Sequence, residues 1–166
     1  IQLNNLKTLD LAANNIQDIS VIKQVSVPAL TTLDASFNNI SDISAIAESS
    51  ITTLTNLFAD NNNISNVDAF KNSSFTGLKW LSVQNNAISN IDIMNGLYTR
   101  YPDLHVFRIA GNSINDISFM DGFDLYSSTD ASEQNYSNVV KLIKPSSSQS
   151  QSFDVALPIK TSDFQY

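Results

Sequence analysis

Apolar residues recur along this chain at a long, fixed interval. The string Leu-x-x-Leu-x-apolar-x-x-Asn-x-Ile opens at Leu6, Leu30, Leu54 and Leu78, and returns at Leu104 with Phe107 in place of the second leucine. These starts lie 24, 24, 24 and 26 residues apart. A repeat of this length is one supersecondary unit that cannot bury its apolar face alone, so the pattern predicts a solenoid in which successive coils stack into a column of core.

Within a unit the period is two: Leu9 and Leu11 alternate with Thr8, Asp10 and Ala12, which predicts a short strand with one face in the core. Equivalent strands centre on Leu33 and Ala35, Leu57 and Ala59, Leu81 and Val83, and Phe107 and Ile109. Stacked in parallel at ~4.8 Å, five strands make a concave wall about 20 Å wide. The register gives its outward columns: Thr8, Thr32, Asn56, Trp80, Val106; then Asp10, Asp34, Phe58, Ser82, Arg108. Two more follow: Ala12, Ser36, Asp60, Gln84, Ala110; and Ala13, Phe37, Asn61, Asn85, Gly111.

The asparagines Asn14, Asn38, Asn62, Asn86 and Asn112 fall in register at the turn after each strand. An amide pointing into a turn needs partners, and the backbone of the adjacent coil supplies them, so these five are expected to form a structural ladder. Loss of Asn62 is expected to cost roughly 1–3 kcal/mol. Core positions resume at Ile16 and Ile19, Ile40 and Ile43, Ile64 and Val67, Ile88 and Ile91, and Ile114 and Ile117. Ser20, Ser44, Asp68, Asp92 and Ser118 follow directly and are expected to cap short convex helices or single helical turns. A further apolar column comprises Leu3, Val27, Ile51, Phe75 and Tyr101. Leu3 marks residues 1–5 as the tail of a preceding coil.

The repeat ends near residue 124. Residues 125–166 are expected to form a β-containing C-terminal flank: a polar loop over 125–138, a strand over Val139–Ile143, a flexible Ser- and Gln-rich connector, and an alternating strand over Phe153–Ile159 that Pro158 confines to an edge or an end.

Charge and chemistry narrow the function classes. The net charge is −7, and fourteen aspartates stand against two glutamates. Much of that acidity belongs to turns, but with no basic stripe the chain is not expected to bind nucleic acid. There is no cysteine and one histidine, His105, so neither a disulfide, a Cys–His pair nor a Cys- or His-based zinc site can be built. No stretch reaches the ~20 apolar residues of a membrane helix. Asp60-Asn61-Asn62-Asn63 offers oxygen ligands, but it lies at the ladder turn and lacks a bidentate glutamate, so calcium is not expected. The chain is read as non-enzymatic, without cofactor or metal, and as a monomer.

The phrases LKTLDLAANNIQDISVI, LTTLDASFNNISDISAI and LKWLSVQNNAISNIDIM resemble the Asn-x-Ile-x-Asp-Ile class of leucine-rich repeats carried by bacterial internalins and related Gram-positive surface proteins. The intracellular regulatory subunits of protein phosphatase 1 carry the same class. The resemblance covers residues 3–124, with a repeat longer than the usual internalin unit. It implies a right-handed α/β leucine-rich repeat solenoid with a parallel concave sheet, short helices or turns on the convex side, and a β-rich C-terminal cap. It also implies a binding module of a secreted or cell-surface bacterial protein that grips a protein or glycan ligand. A phosphatase-subunit-type scaffold and a spacer projecting another domain are the alternatives. The variable outward positions Asp34, Phe37, Phe58, Asp60, Trp80, Val106 and Arg108 are the candidate contacts, because aromatic residues and arginine gathered on one face have the composition of a binding hot spot.

Overall fold

The computed structural model describes residues 1–90, 100–104 and 106–113, together with the backbone of three strands further along the chain. Each unit contributes one three-residue strand: β1 (Thr8–Asp10), β2 (Thr32–Asp34), β3 (Asn56–Phe58), β4 (Trp80–Ser82) and β5 (Val106–Arg108). They pair in parallel in the order β1-β2-β3-β4-β5. The register is uniform: Thr8, Thr32, Asn56, Trp80 and Val106 are successive partners, as are Asp10, Asp34, Phe58, Ser82 and Arg108. The middle residue of each strand points inward. Leu33, Leu57, Leu81 and Phe107 are all buried, whereas Leu9 at the first coil is only partly covered.

The convex side carries one short helical segment per described coil: a 3-10 helix at Ser20–Gln24, helix α1 at Ser44–Ala47 and a 3-10 helix at Asp68–Asn72. Their apolar faces supply Ile22, Ile46 and Phe70 to the core. The capping residues differ from the sequence expectation. The N-cap positions fall on Ile19, Ile43 and Val67, which make no side-chain capping bond, and the first helical residues are Ser20, Ser44 and Asp68. Instead Asp18, Asp42 and Asn66, two positions earlier, accept the backbone N–H groups of Ser20, Ser44 and Asp68 at 2.7, 2.7 and 2.6 Å. The side chain that starts the turn must reach forward two residues, and only the earlier Asx residue has that geometry. Asp92 and Ser118 lie outside the described residues.

The asparagine ladder is visible bond by bond. Asn62 Nδ2 donates to the Ala35 carbonyl of the preceding coil at 2.9 Å, and its Oδ1 accepts the Ile40 N–H at 3.0 Å. Asn38, Asn86 and Asn112 repeat both links, to Leu11 and Ile16, Ala59 and Ile64, and Val83 and Ile88. Asn14 donates only within its own coil, to Leu11 and Ala12. Hydroxyls add a second set of links that the sequence reading missed. Thr31, Thr53, Thr55 and Ser74 each donate to a carbonyl of the coil before. Threonine and serine recur at too many positions for these to stand out in the sequence.

The convex column enlarges along the solenoid, from Val27 and Ile51 to Phe75 and Tyr101, all buried. Phe75 lies between Phe70 and Tyr101, with ring centroids 6.1 and 6.2 Å away. The Tyr101 hydroxyl donates to the Phe70 carbonyl and meets Ser73 Oγ, each at 2.6 Å. Burial pushes that hydroxyl above its ordinary titration range, partly offset by the bond to Ser73.

Beyond the repeats, β6 (Asp124–Tyr126), β7 (Val139–Ile143) and β8 (Ser152–Ala156) form an antiparallel sheet in the order β6-β7-β8. Residues 125 and 126, read from the sequence as the start of a loop, are strand, paired with Leu142 and Lys141. The second flanking strand is described over Ser152–Ala156, opening one residue before the expected Phe153–Ile159; residues 157–159 lie outside the described residues. β8 lies beside β5, at the C-terminal end of the parallel sheet.

Candidate functional site

The concave sheet brings four of the candidate residues together. Phe58 ends β3, Trp80 opens β4, and Val106 and Arg108 bound β5. Phe58 and Trp80 meet with ring centroids 5.7 Å apart and planes tilted by 58°. The Arg108 guanidinium lies over the Trp80 ring, 5.1 Å from its centroid. Such a contact adds about 0.5–1 kcal/mol at an exposed site and more where water is excluded. Val106 is the direct strand partner of Trp80. All four side chains are half-buried rather than fully exposed, since each leans on its neighbour.

Two features of this cluster are not optimised for the fold. The Trp80 Nε1–H is buried and has no hydrogen-bond partner among the described residues. A buried donor left unpaired costs about 1–3 kcal/mol. Arg108, for its part, has no carboxylate partner among the described residues; the ion pairs there are Lys23–Glu48 and Lys71–Asp68, both on the convex side.

The three remaining candidates fall in different places. Asp34 is half-buried at the end of β2; its Oδ1 accepts the Ser36 N–H at 2.9 Å, and its other oxygen has no partner among the described residues. Asp60 is committed to the neighbouring coil. Ser82 Oγ donates to both its oxygens, at 2.7 and 2.8 Å, and the Gln84 N–H adds a third bond at 2.6 Å. That carboxylate ties coil to coil, and a single unit read in isolation gives no sign of it.

Phe37 belongs to neither group. It is 60% exposed and sits at φ 56°, in the left-handed region. Its whole column shares that backbone: Ala13, Asn61 and Asn85 have φ between 52° and 56°, and Gly111 has φ 69°. Asparagine and glycine at three of these five positions were the sequence signal for a left-handed turn, since those residues tolerate it best. For an aromatic side chain the conformation costs about 1–2 kcal/mol, with little burial here in return. Phe37→Asn is therefore expected to raise the unfolding free energy by about 1 kcal/mol. An unchanged or lower urea midpoint for that variant would show that the Phe37 ring contributes more to the fold than its exposure suggests.

Among the described residues no three acidic or imidazole side chains converge to hold a metal ion, and no helix is long and apolar enough to cross a membrane. His105 lies outside the described residues.

Comparison with known proteins agrees with this geometry. A family model described as "Leucine rich repeat" matches residues 4–64. An internalin (inlF) from Listeria monocytogenes aligns over 70% of this chain with 31% identity and a TM-score of 0.58. The alignment covers 31% of that internalin, so the chain spans about a third of its length. The functional domain of InlJ from the same organism aligns over 70% of this chain and 24% of its own, with 25% identity and a TM-score of 0.48. Internalin C2 of Listeria monocytogenes aligns over 70% and 67%, with 25% identity and a TM-score of 0.42. No curated protein sequence matches the chain significantly. Repeat, parallel sheet and neighbour together make this an internalin-like leucine-rich repeat protein.

Proposed function

We propose that this chain is the non-catalytic binding module of a bacterial secreted or cell-surface protein, and that it holds a protein partner on its concave sheet. The internalin-like repeat fold supports a protein-interaction role in general. The observation that carries the finer reading is the Phe58–Trp80–Arg108 cluster: two aromatic rings and a cation with no carboxylate partner among the described residues, on adjacent strands of the concave wall. Tryptophan and arginine dominate binding hot spots because each offers large contact area and directed polar groups at low entropic cost. Secretion and surface display rest on the likeness to the listerial internalin.

Immobilised chain incubated with a cell-surface protein extract is expected to retain a partner that the Phe58→Ala/Trp80→Ala variant retains at least about tenfold less, the loss expected from one hot-spot residue. Circular dichroism of the variant separates loss of binding from loss of fold. Equal retention by the folded variant would remove the concave stack from the interface.

A further inference from the structure

One line of side chains crosses all five strands at the same register: Asp10, Asp34, Phe58, Ser82 and Arg108. Read across the sheet, it runs acid, acid, aromatic, hydroxyl, base. Neither end has an ion-pair partner among the described residues. Asp10 and Asp34 each use Oδ1 for a backbone N–H two residues on, Ala12 and Ser36, and neither has a cation partner among the described residues. The Arg108 guanidinium lies over the Trp80 ring, and its N–H groups have no hydrogen-bond or carboxylate partner among the described residues. A guanidinium held over an aromatic ring still offers a fork of N–H donors that receives a carboxylate through parallel N–H···O bonds. The middle of the line is apolar, with Phe58 against Trp80.

From this we infer that the concave face reads an extended protein segment of opposite polarity, which crosses the strands with a basic side chain at Asp34, an apolar one beside Phe58 and Trp80, and an acidic one at Arg108. The inference rests on the concave-face reading and adds to it the chemistry and spacing of the partner. From Asp34 on β2 to Arg108 on β5 is three strand spacings, roughly 14 Å at ~4.8 Å each. An extended chain rises about 3.3 Å per residue and sends residues i, i+2 and i+4 to one face. Four residues therefore cover about 13 Å, and the side chains at i and i+4 reach the two charged ends while that at i+2 lands over the aromatic pair. A partner motif of basic-x-apolar-x-acidic meets all three requirements at once. Like charge at either end would leave one group facing its own sign, which is how such a line rejects other segments.

The chain's one tryptophan is Trp80, so its emission reports directly on the middle of this line. The test titrates the intact chain with three capped pentapeptides, Lys-Thr-Leu-Thr-Asp, Lys-Thr-Leu-Thr-Lys and Asp-Thr-Leu-Thr-Asp. The first is expected to change the emission saturably and to bind about tenfold more tightly than either control, with the preference fading as salt is raised. Arg108→Gln, checked by circular dichroism, is expected to remove that preference over the lysine-ended control. Equal binding of all three peptides would overturn the polar line while leaving the concave face as a binding surface. So would a preference that Arg108→Gln leaves intact. The absence of any saturable change with the matched peptide up to about 10 mM, weaker than the millimolar affinities of the faintest specific contacts, would overturn it as well. The partner-retention experiment above then decides the concave-face reading separately.

Discussion

Asn62→Ala is expected to lower the unfolding free energy by about 2–4 kcal/mol, whereas Asn14→Ala costs less than about 1 kcal/mol, although the two residues hold the same place in the repeat. The Asn62 figure lies above the roughly 1–3 kcal/mol expected from the sequence because the structure shows bonds from both amide atoms. Asn62 is 8% exposed and bonds in both directions. Its Oδ1 accepts from Ile40, its Nδ2 donates to Ala35, Ala59 and Asp60, and Ile40 is fully buried. Alanine leaves the Ile40 N–H with no acceptor and no water, which alone accounts for about 1–3 kcal/mol; weakening of the carbonyl bonds adds the rest. Asn14 is exposed and its amide bonds only to Leu11 and Ala12 of its own coil, so water replaces what its amide gave. Urea midpoints of the two variants check this. Equal costs would mean that the asparagine acts within its own turn and that the ladder between coils carries little.

Phe75→Ala is expected to cost about 3–5 kcal/mol, the usual range for emptying an aromatic site in a packed core. Phe75 has no exposure and is enclosed by Phe70 and Tyr101, themselves fully buried. The Tyr101 ring cannot collapse into the space freely, because its hydroxyl is fixed to the Phe70 carbonyl and to Ser73. A rigid neighbour leaves a larger residual cavity, which places this site toward the upper part of the range. Phe75→Leu, which keeps most of the volume, is expected to cost less than about 1.5 kcal/mol. Trp80 emission and far-ultraviolet circular dichroism, followed together in urea, measure both. A solenoid couples only neighbouring coils, so a loss of cooperativity between the two probes is the expected accompaniment of a large local cost. An alanine variant as stable as the leucine variant would contradict the packing account.

Most of the coil was legible in the sequence because its requirements are local. An inward Leu57 flanked by Asn56 and Phe58 is a period-two pattern within three residues, and the same spacing in every unit gave the register that pairs Asn56 with Trp80. The ladder was legible because asparagine recurs at one position and nothing else explains it. What escaped the reading depends on contacts between coils or on side-chain reach. Asp60 looked like an outward acid, and only its bonds to Ser82 and Gln84, more than twenty residues away, reveal a structural tie. Ser20 and Asp18 are both good helix starters by type, and the choice between them is a matter of geometry two residues long. Phe37 gave no sign of a left-handed backbone by itself. Asn61, Asn85 and Gly111 in its column did.

The candidate site divides along the same lines. Phe58, Trp80, Val106 and Arg108 were named from register, and the structure places them side by side. Their mutual stacking and the unpaired Trp80 N–H were beyond the sequence. Two local costs, the left-handed Phe37 and the orphan donor of Trp80, lie on the outward columns; Ala13 shares the left-handed backbone, and the buried Arg100 Nε also lacks a partner among the described residues. Positions that weaken a fold without an internal return are where a repeat protein is free to specialise, and Phe37 and Trp80 both fall at variable positions of those columns.

The central claim is that the partner rests on the concave wall. Site-directed photo-crosslinking tests it most directly, with the reactive side chain placed at Asn56, beside Trp80 on that wall, or at the exposed Val21 on the convex side. The account predicts a crosslinked partner from position 56 and none from position 21, and predicts that unlabelled chain competes for the adduct while the Phe58→Ala/Trp80→Ala variant does not. A partner captured from position 21 alone, or competed equally well by the double variant, would contradict it.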